Sequence, residues 1–176
     1  PKKSPDLARI VCERHCIRLK ELLKKCTNGE KVITGGLDLV DVDTLYVPPT
    51  LVENVGTKSP LMLEELFGPI LPILKVKSAE EAISIINSDG RDHPLTMYLF
   101  SKNRATIDLM MERVQSGGVL VNDTLFGAAS EHLPFGGVGA SGMGRYHGKS
   151  SFEGFSHQQS VLRRHDWASL DIPIRF

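Results

Sequence analysis

Two stretches of this chain carry residues whose types and spacing could do chemistry. In Glu64-Glu65-Leu66-Phe67-Gly68-Pro69, an acid stands two residues before an aromatic ring and ahead of a Gly-Pro turn. A carboxylate accepts hydrogen bonds without donating and suits a diol, and an aromatic plane packs on a flat ring. In an extended segment the i to i+2 spacing puts Glu65 and Phe67 on one side. The same residues also fit an exposed acid and a core phenylalanine. The second stretch, residues 133–148, reads L-P-F-G-G-V-G-A-S-G-M-G-R-Y-H-G, six glycines in sixteen residues. Phe135, Val138, Met143 and Tyr146 between the glycines are not linker composition. They predict a packed loop, the floor of a site, with backbone approaches that only glycine tolerates.

Gly137, Gly139 and Gly142 spell G-x-G-x-x-G. That fingerprint binds a pyrophosphate only between a strand and the N-terminus of a helix. Here Pro134-Phe135 precedes it, and Gly144 and Gly148 would interrupt the helix, so a dinucleotide-binding reading is disfavoured. Cys12, Cys16 and Cys26 fall within one expected helix, and an odd count gathered in one element implies reduced thiols and a reducing, cytoplasmic setting. A metal held by Cys12, His15 and Cys16 is the sharper reading. A buried helix face with a surface histidine is favoured over it, because no second ligand cluster occurs.

These residues need elements to hold them. At 176 residues, with 41% hydrophobic and 24% charged residues, the chain suits one well-filled globular core. Lys plus Arg and Asp plus Glu balance at 21 each, which gives no general attraction for nucleic acid. No apolar run is long enough to span a membrane. Ser4-Pro5-Asp6 reads as a helix start, predicting a helix over 5–25 with Leu7, Ile10, Val11, Ile17, Leu22 and Leu23 on its apolar face. Strands are predicted at 31–34, 45–47, 50–55, 70–76, 95–100, 119–121 and 159–163, with helices at 79–87, 104–115 and 150–155. Strand and helix alternate from 70 to 121, the pattern of an α/β fold: an open, mostly parallel sheet with crossover helices. Ligands bind such sheets beyond the carboxyl ends of the strands, where residues 122–148 follow.

The segments E-E-L-F-G-P-I (64–70), S-G-G-V-L-V-N-D (116–123) and L-P-F-G-G-V-G-A-S-G-M-G-R-Y-H-G-K (133–149), in this order, resemble the aldehyde dehydrogenase superfamily. Tyr-His-Gly-Lys followed by Ser-Phe-Glu-Gly-Phe-Ser-His looks most like its class 3 and fatty or coniferyl aldehyde branch. The resemblance implies an enzyme that binds NAD or NADP, attacks an aldehyde with a cysteine, transfers hydride from the thiohemiacetal to the nicotinamide and releases a carboxylic acid. It implies that Glu65 meets the nicotinamide ribose hydroxyls and Phe67 positions the nicotinamide. Phe135 resembles the aromatic at the base of the substrate tunnel, Thr124, Leu125 and Ala128 fall where the tunnel is lined, and His147 resembles a histidine near its mouth. Small or apolar residues there favour an aldehyde with an apolar tail. His147 equally fits a structural hydrogen-bonding role, and Asn122 fits either a tie from strand end to catalytic loop or a turn at a strand terminus.

By the same resemblance the nucleophilic cysteine, the base glutamate, the oxyanion-hole asparagine and the NAD-binding half precede this stretch. Residues 1–164 are then expected to be the C-terminal portion of a catalytic domain and 165–176 a tail crossing to another subunit. Such a portion is inactive alone, bares an apolar interface and associates. Joined to the rest, it is expected to work as a homodimer. The alternative is a noncatalytic half-domain that acts by pairing with a partner.

Overall fold

The computed structural model describes residues 1–27, 29–88 and 93–163. Its helices are α1 (Glu13–Lys24), α2 (Ala79–Ile86), α3 (Arg104–Arg113), α4 (Phe126–Ala129) and α5 (Gly148–Gly154). Its strands are β1 (Lys31–Thr34), β2 (Thr50–Glu53), β3 (Ile70–Pro72), β4 (Thr96–Leu99) and β5 (Gly118–Val121). The fold is α/β. Among the described residues two of the three strand pairings are parallel, β2 with β3 and β4 with β5, while β1 joins β2 antiparallel. They are divided between a three-stranded and a two-stranded sheet, and the chain separates into two compact units, Pro1–Ser88 and Asp89–Phe176. The turn expected at 89–90 and the tail at 165–176 lie outside the described residues. No described helix is long and apolar enough to cross a membrane.

In the first unit α1 begins at Glu13, eight residues later than the sequence suggested, with Cys12 as an extended N-cap. The capping signal is used locally instead: Ser4 Oγ accepts the Asp6 N–H at 3.2 Å. Such side-chain to backbone bonds compete with helix formation. Further along, the Ile10 N–H is held by the Leu45 carbonyl at 2.9 Å. The buried face of α1 is therefore Cys16, Leu19, Leu22 and Leu23, whereas Val11 and Ile17, both expected inside, are exposed. This face packs on Val47, Val52, Val55, Leu61 and Ile70.

The strand expected at 45–47 is only a bridge between Asp41 and Tyr46, since Pro48-Pro49 leaves no donors to extend a ladder. In β2, Thr50 and Val52 point inward. The buried Thr50 hydroxyl is satisfied on both sides, accepting from the Gly36 N–H at 3.1 Å and donating to the Pro48 carbonyl at 2.8 Å.

Around the bridge, Lys2 Nζ lies 2.7 Å from Asp41 Oδ2 and the Thr44 N–H donates to Asp41 Oδ1. Hydrogen bonding from Lys2, then from Thr44, holds the Asp41 carboxyl down at about 2. A folded-state value below the unfolded one gives stability that is present above about pH 3.9 and is lost as pH falls through 2. Thermal midpoints measured from pH 5 to pH 2 should fall less steeply below pH 4 in Asp41→Asn than in the parent, and identical slopes would refute the pairing.

The second unit is a βαβ crossover. Asn103 caps α3, its side chain accepting the Thr106 N–H at 3.3 Å, and Met97, Met110 and Val114 are buried. The helix stops at Arg113, before the Ser116-Gly117-Gly118 breaker. Past β5, α5 begins at Gly148 rather than Ser150 and has His147 as its N-cap. The segment expected to form a strand at 159–163 has no regular structure.

Candidate functional site

Two local constellations follow, one in each unit. The first is the loop carrying Glu65 and Phe67, which rests against α1. Arg18, on the helix, directs Nη1 to Glu64 Oε1 at 2.9 Å and Nη2 to the Leu66 carbonyl at 2.5 Å, with the Glu65 carbonyl 3.5 Å from Nη1. The next helical residue, Leu19, packs on Gly68 so closely that a Cβ there would lie 2.5 Å from Leu19 Cδ1. Between these contacts Phe67 adopts φ 48°, a left-handed conformation that costs a bulky residue on the order of 1–3 kcal/mol and persists only where its surroundings impose it.

The segment is thus not the extended strand that the i to i+2 argument assumed. The Phe67 ring is not in the core either: it is 82% exposed. The two acids have separated roles. Glu64 is engaged by Arg18, whereas Glu65 is exposed and its carboxylate has no hydrogen-bond or ion-pair partner among the described residues. A free acceptor and a solvent-facing ring, two residues apart on an anchored loop, are the groups that a ligand with a diol and a flat ring requires.

The second constellation follows the carboxyl end of β5. Asn122 sits at φ 58°, which asparagine tolerates better than most residues. Its side chain pairs twice with Ser101, Oδ1 accepting from the N–H at 2.9 Å and Nδ2 donating to the carbonyl at 3.0 Å. It thereby ties the ends of β4 and β5 together. Leu125 is exposed ahead of α4, and the Thr124 N–H is held by Asp123 Oδ1. Ala128 lies within α4; its side chain falls outside the described parts.

The glycine loop is closed by reciprocal backbone bonds between Phe135 and Tyr146, each 2.9 Å. Inside it, Gly139–Ser141 forms a single 3-10 turn, so G-x-G-x-x-G lacks the strand-to-helix setting of a dinucleotide site. A Cβ on Gly136 would meet the Gly144 carbonyl oxygen at 2.2 Å, and one on Gly137 would meet Ser141 backbone atoms at 2.2 Å. These contacts explain the glycines physically. Arg145 Nη1 crosses the loop to the Gly117 carbonyl at 2.6 Å.

Phe135 and His147 are brought together, stacked with centroids 5.8 Å apart, and Tyr146 meets His147 edge-on at 4.5 Å. His147 Nδ1 is 3.1 Å from the Ser130 carbonyl. That oxygen only accepts, so Nδ1 carries the proton. Ser151 Oγ accepts the His147 N–H at 2.7 Å. The histidine therefore braces the loop. Phe135 also lines a pocket of about 290 Å³ with Tyr98, Leu120, Gly127 and Leu133, an apolar lining suited to an apolar group. A wider crevice of about 780 Å³ lies in the first unit among Lys2, Lys20, Asp38 and Asp41. Its Lys2 and Asp41 pair with one another, and it touches none of the expected site residues.

None of the cysteines is set up as a nucleophile. Burial pushes the Cys16 and Cys26 thiols up, away from the thiolate, and the Cys12 thiol, at the N-cap position of α1, makes no hydrogen bond to a base among the described residues. Among the described residues no cluster of three metal-ligating side chains occurs. Sequence reasoning did not single out Arg18 or Arg145. Arg145 carried a signal, as a long cation set among glycines whose carbonyls need donors; Arg18, 46 residues from Glu64, carried none.

Comparison with known proteins agrees with this fold. The model of the aldehyde dehydrogenase family matches residues 2–161. Aldehyde dehydrogenase family 3 member A2 of Rattus norvegicus is 48% identical over 161 residues, covering 92% of this chain and 32% of that protein. The dimeric NADP-preferring aldehyde dehydrogenase of Bos taurus is 47% identical over 163 residues, covering 93% of this chain and 65% of its own length. Among solved structures, the substrate-bound state of Staphylococcus aureus AldH superposes with a TM-score of 0.85 at 44% identity, over 96% of this chain and 36% of that one. The chain belongs to the aldehyde dehydrogenase family. It spans about a third of the length of its family 3 relative from Rattus norvegicus.

Proposed function

We propose that this chain is the C-terminal portion, over residues 1–164, of the catalytic domain of an NAD(P)-dependent aldehyde dehydrogenase. The reaction takes an aldehyde, water and the oxidised cofactor to a carboxylic acid, the reduced cofactor and a proton. The observation that carries this reading is the loop at 64–68, where an unpartnered carboxylate and an exposed ring are held on an anchored backbone. Glu65 accepts from the ribose hydroxyls and Phe67 packs against the nicotinamide. When bound, the cofactor supplies the hydride acceptor. Phe135, Thr124, Leu125 and Ala128 line the aldehyde's path, with His147 and Asn122 holding the surrounding backbone. The apolar lining beside Phe135 favours an aldehyde with an apolar tail. In this reading the nucleophile, the base and the rest of the cofactor site lie in the remainder of the enzyme, which works as a homodimer in the reducing cytoplasm. The printed name of the Bos taurus relative, dimeric and NADP-preferring, supports the dimer and leans the cofactor toward NADP.

The test is Glu65→Gln in the full-length protein. Losing a charged acceptor should raise the KM for the cofactor by roughly 10–100-fold while the aldehyde KM changes little. Failure of the parent protein to oxidise any medium-chain aldehyde with NAD or NADP would reject the reading.

A further inference from the structure

We propose that Arg18 is a positioning residue for the cofactor: its guanidinium, anchored on α1, sets the backbone of residues 64–66 and so fixes where Glu65 and Phe67 present themselves. The inference rests on the reading that these two residues meet the cofactor, and it deepens that reading by naming what aims them.

Four observations carry it. First, Arg18 makes contacts with three successive residues, the Glu64 carboxylate and the Glu65 and Leu66 carbonyls. A planar fork fixed on a helix restrains several acceptors at once, which an ammonium on a flexible stem does not. Second, Leu19 closes on Gly68 from the following helical position, so adjacent residues of α1 hold the loop on both sides of Phe67. Third, Phe67 stands at φ 48° with its ring in solvent. Its own side chain has no core packing to hold that conformation, so the flanking contacts must impose it. Fourth, Arg18 takes the carbonyl of Glu65 and the carboxylate of its neighbour, leaving the Glu65 carboxylate free. The guanidinium orients the ligand-facing acid without neutralising it.

The experiment uses the full-length protein, with steady-state kinetics in NAD and NADP against a medium-chain aldehyde and a thermal midpoint for each variant. Arg18→Met is expected to raise the cofactor KM by about tenfold or more, in line with the loss of charge-assisted hydrogen bonds, with the aldehyde KM within about twofold of the parent. Arg18→Lys should recover part of this loss. Combining Arg18→Met with Glu65→Gln should give less than the product of the two single effects, because one acts through the other. A general structural defect would raise both KM values and multiply. If Arg18→Met does not fold, Glu64→Lys sets a like charge against the guanidinium at a half-exposed position and should raise the cofactor KM severalfold. A cofactor KM unchanged in the folded Arg18 variants, or in Glu64→Lys, overturns the assignment. If Glu65→Gln and Phe67→Ala raise the cofactor KM and the Arg18 variants do not, only the assignment of Arg18 fails. If none of them does, the reading of the loop falls and Arg18 with it.

Discussion

Replacing Gly117 by alanine is expected to destabilise the protein by about 3 kcal/mol or more, the upper part of what overpacking costs. A Cβ there would lie 2.2 Å from the Gly136 carbonyl oxygen, 2.5 Å from the Leu95 carbonyl oxygen and 2.9 Å from Gly137 Cα. All three are backbone atoms, so no rotamer change relieves the clash; either β4 or the glycine loop must move. The displacement would also break what holds the loop to the strand, since Gly117 donates to the Pro94 carbonyl at 3.0 Å and accepts from Arg145 at 2.6 Å. Gly118 is the internal control. Nothing lies within 4 Å of a Cβ at that position and its φ is not positive, so Gly118→Ala should change stability by no more than about 1 kcal/mol in either direction. Chemical denaturation of the two variants separates close approach from mere strand propensity, and equal losses would refute the packing of Gly117 against the loop.

Leu19→Ala is expected to cost about 2–5 kcal/mol, the range for a buried leucine truncated to alanine. Leu19 has no exposed surface and lies within the core of the first unit. Its loss should also be felt beyond the core. Because Leu19 packs on Gly68, the cavity opens beneath the loop that carries Glu65 and Phe67. Amide exchange should therefore quicken at Thr50 and Ile70, whose N–H groups are held by the Pro69 and Gly68 carbonyls at 2.8 Å each. Val11→Ala, on a side chain that is 83% exposed, should stay within about 0.5 kcal/mol of the parent. A comparable loss from Val11→Ala would mean that the helix begins and faces as its sequence alone suggests.

That contrast shows what the local sequence can and cannot decide. Hydrophobic periodicity and the Ser4-Pro5-Asp6 signal predict a helix over 5–25 and lead correctly to Leu22 and Leu23, but a serine, a proline and an acid near the start suit a turn as well as a cap. Ser4 and Asp6 form the turn, because a long-range bond from Ile10 to Leu45 fixes the chain in a path no helix could follow. A start at Ser4 places Val11 and Ile17 on the inner face, whereas the helix that begins at Glu13 leaves both exposed and buries Leu19.

The sequence by itself determined the α/β class, the crossover from β4 through α3 to β5, and the family, because these rest on local periodicity, capping residues and motifs that recur in order. It also pointed to close backbone approaches at the glycines of 136–148, which the contacts at Gly136 and Gly137 bear out. Only the tertiary structure decided which acid of Glu64-Glu65 is free, that the Phe67 ring faces solvent, and that His147 braces the Phe135 loop through Ser130. The reason is physical. A motif fixes which groups are available, but whether a carboxylate is spent on an ion pair depends on a guanidinium 46 residues away, and that distance along the chain is closed only when α1 packs against the loop.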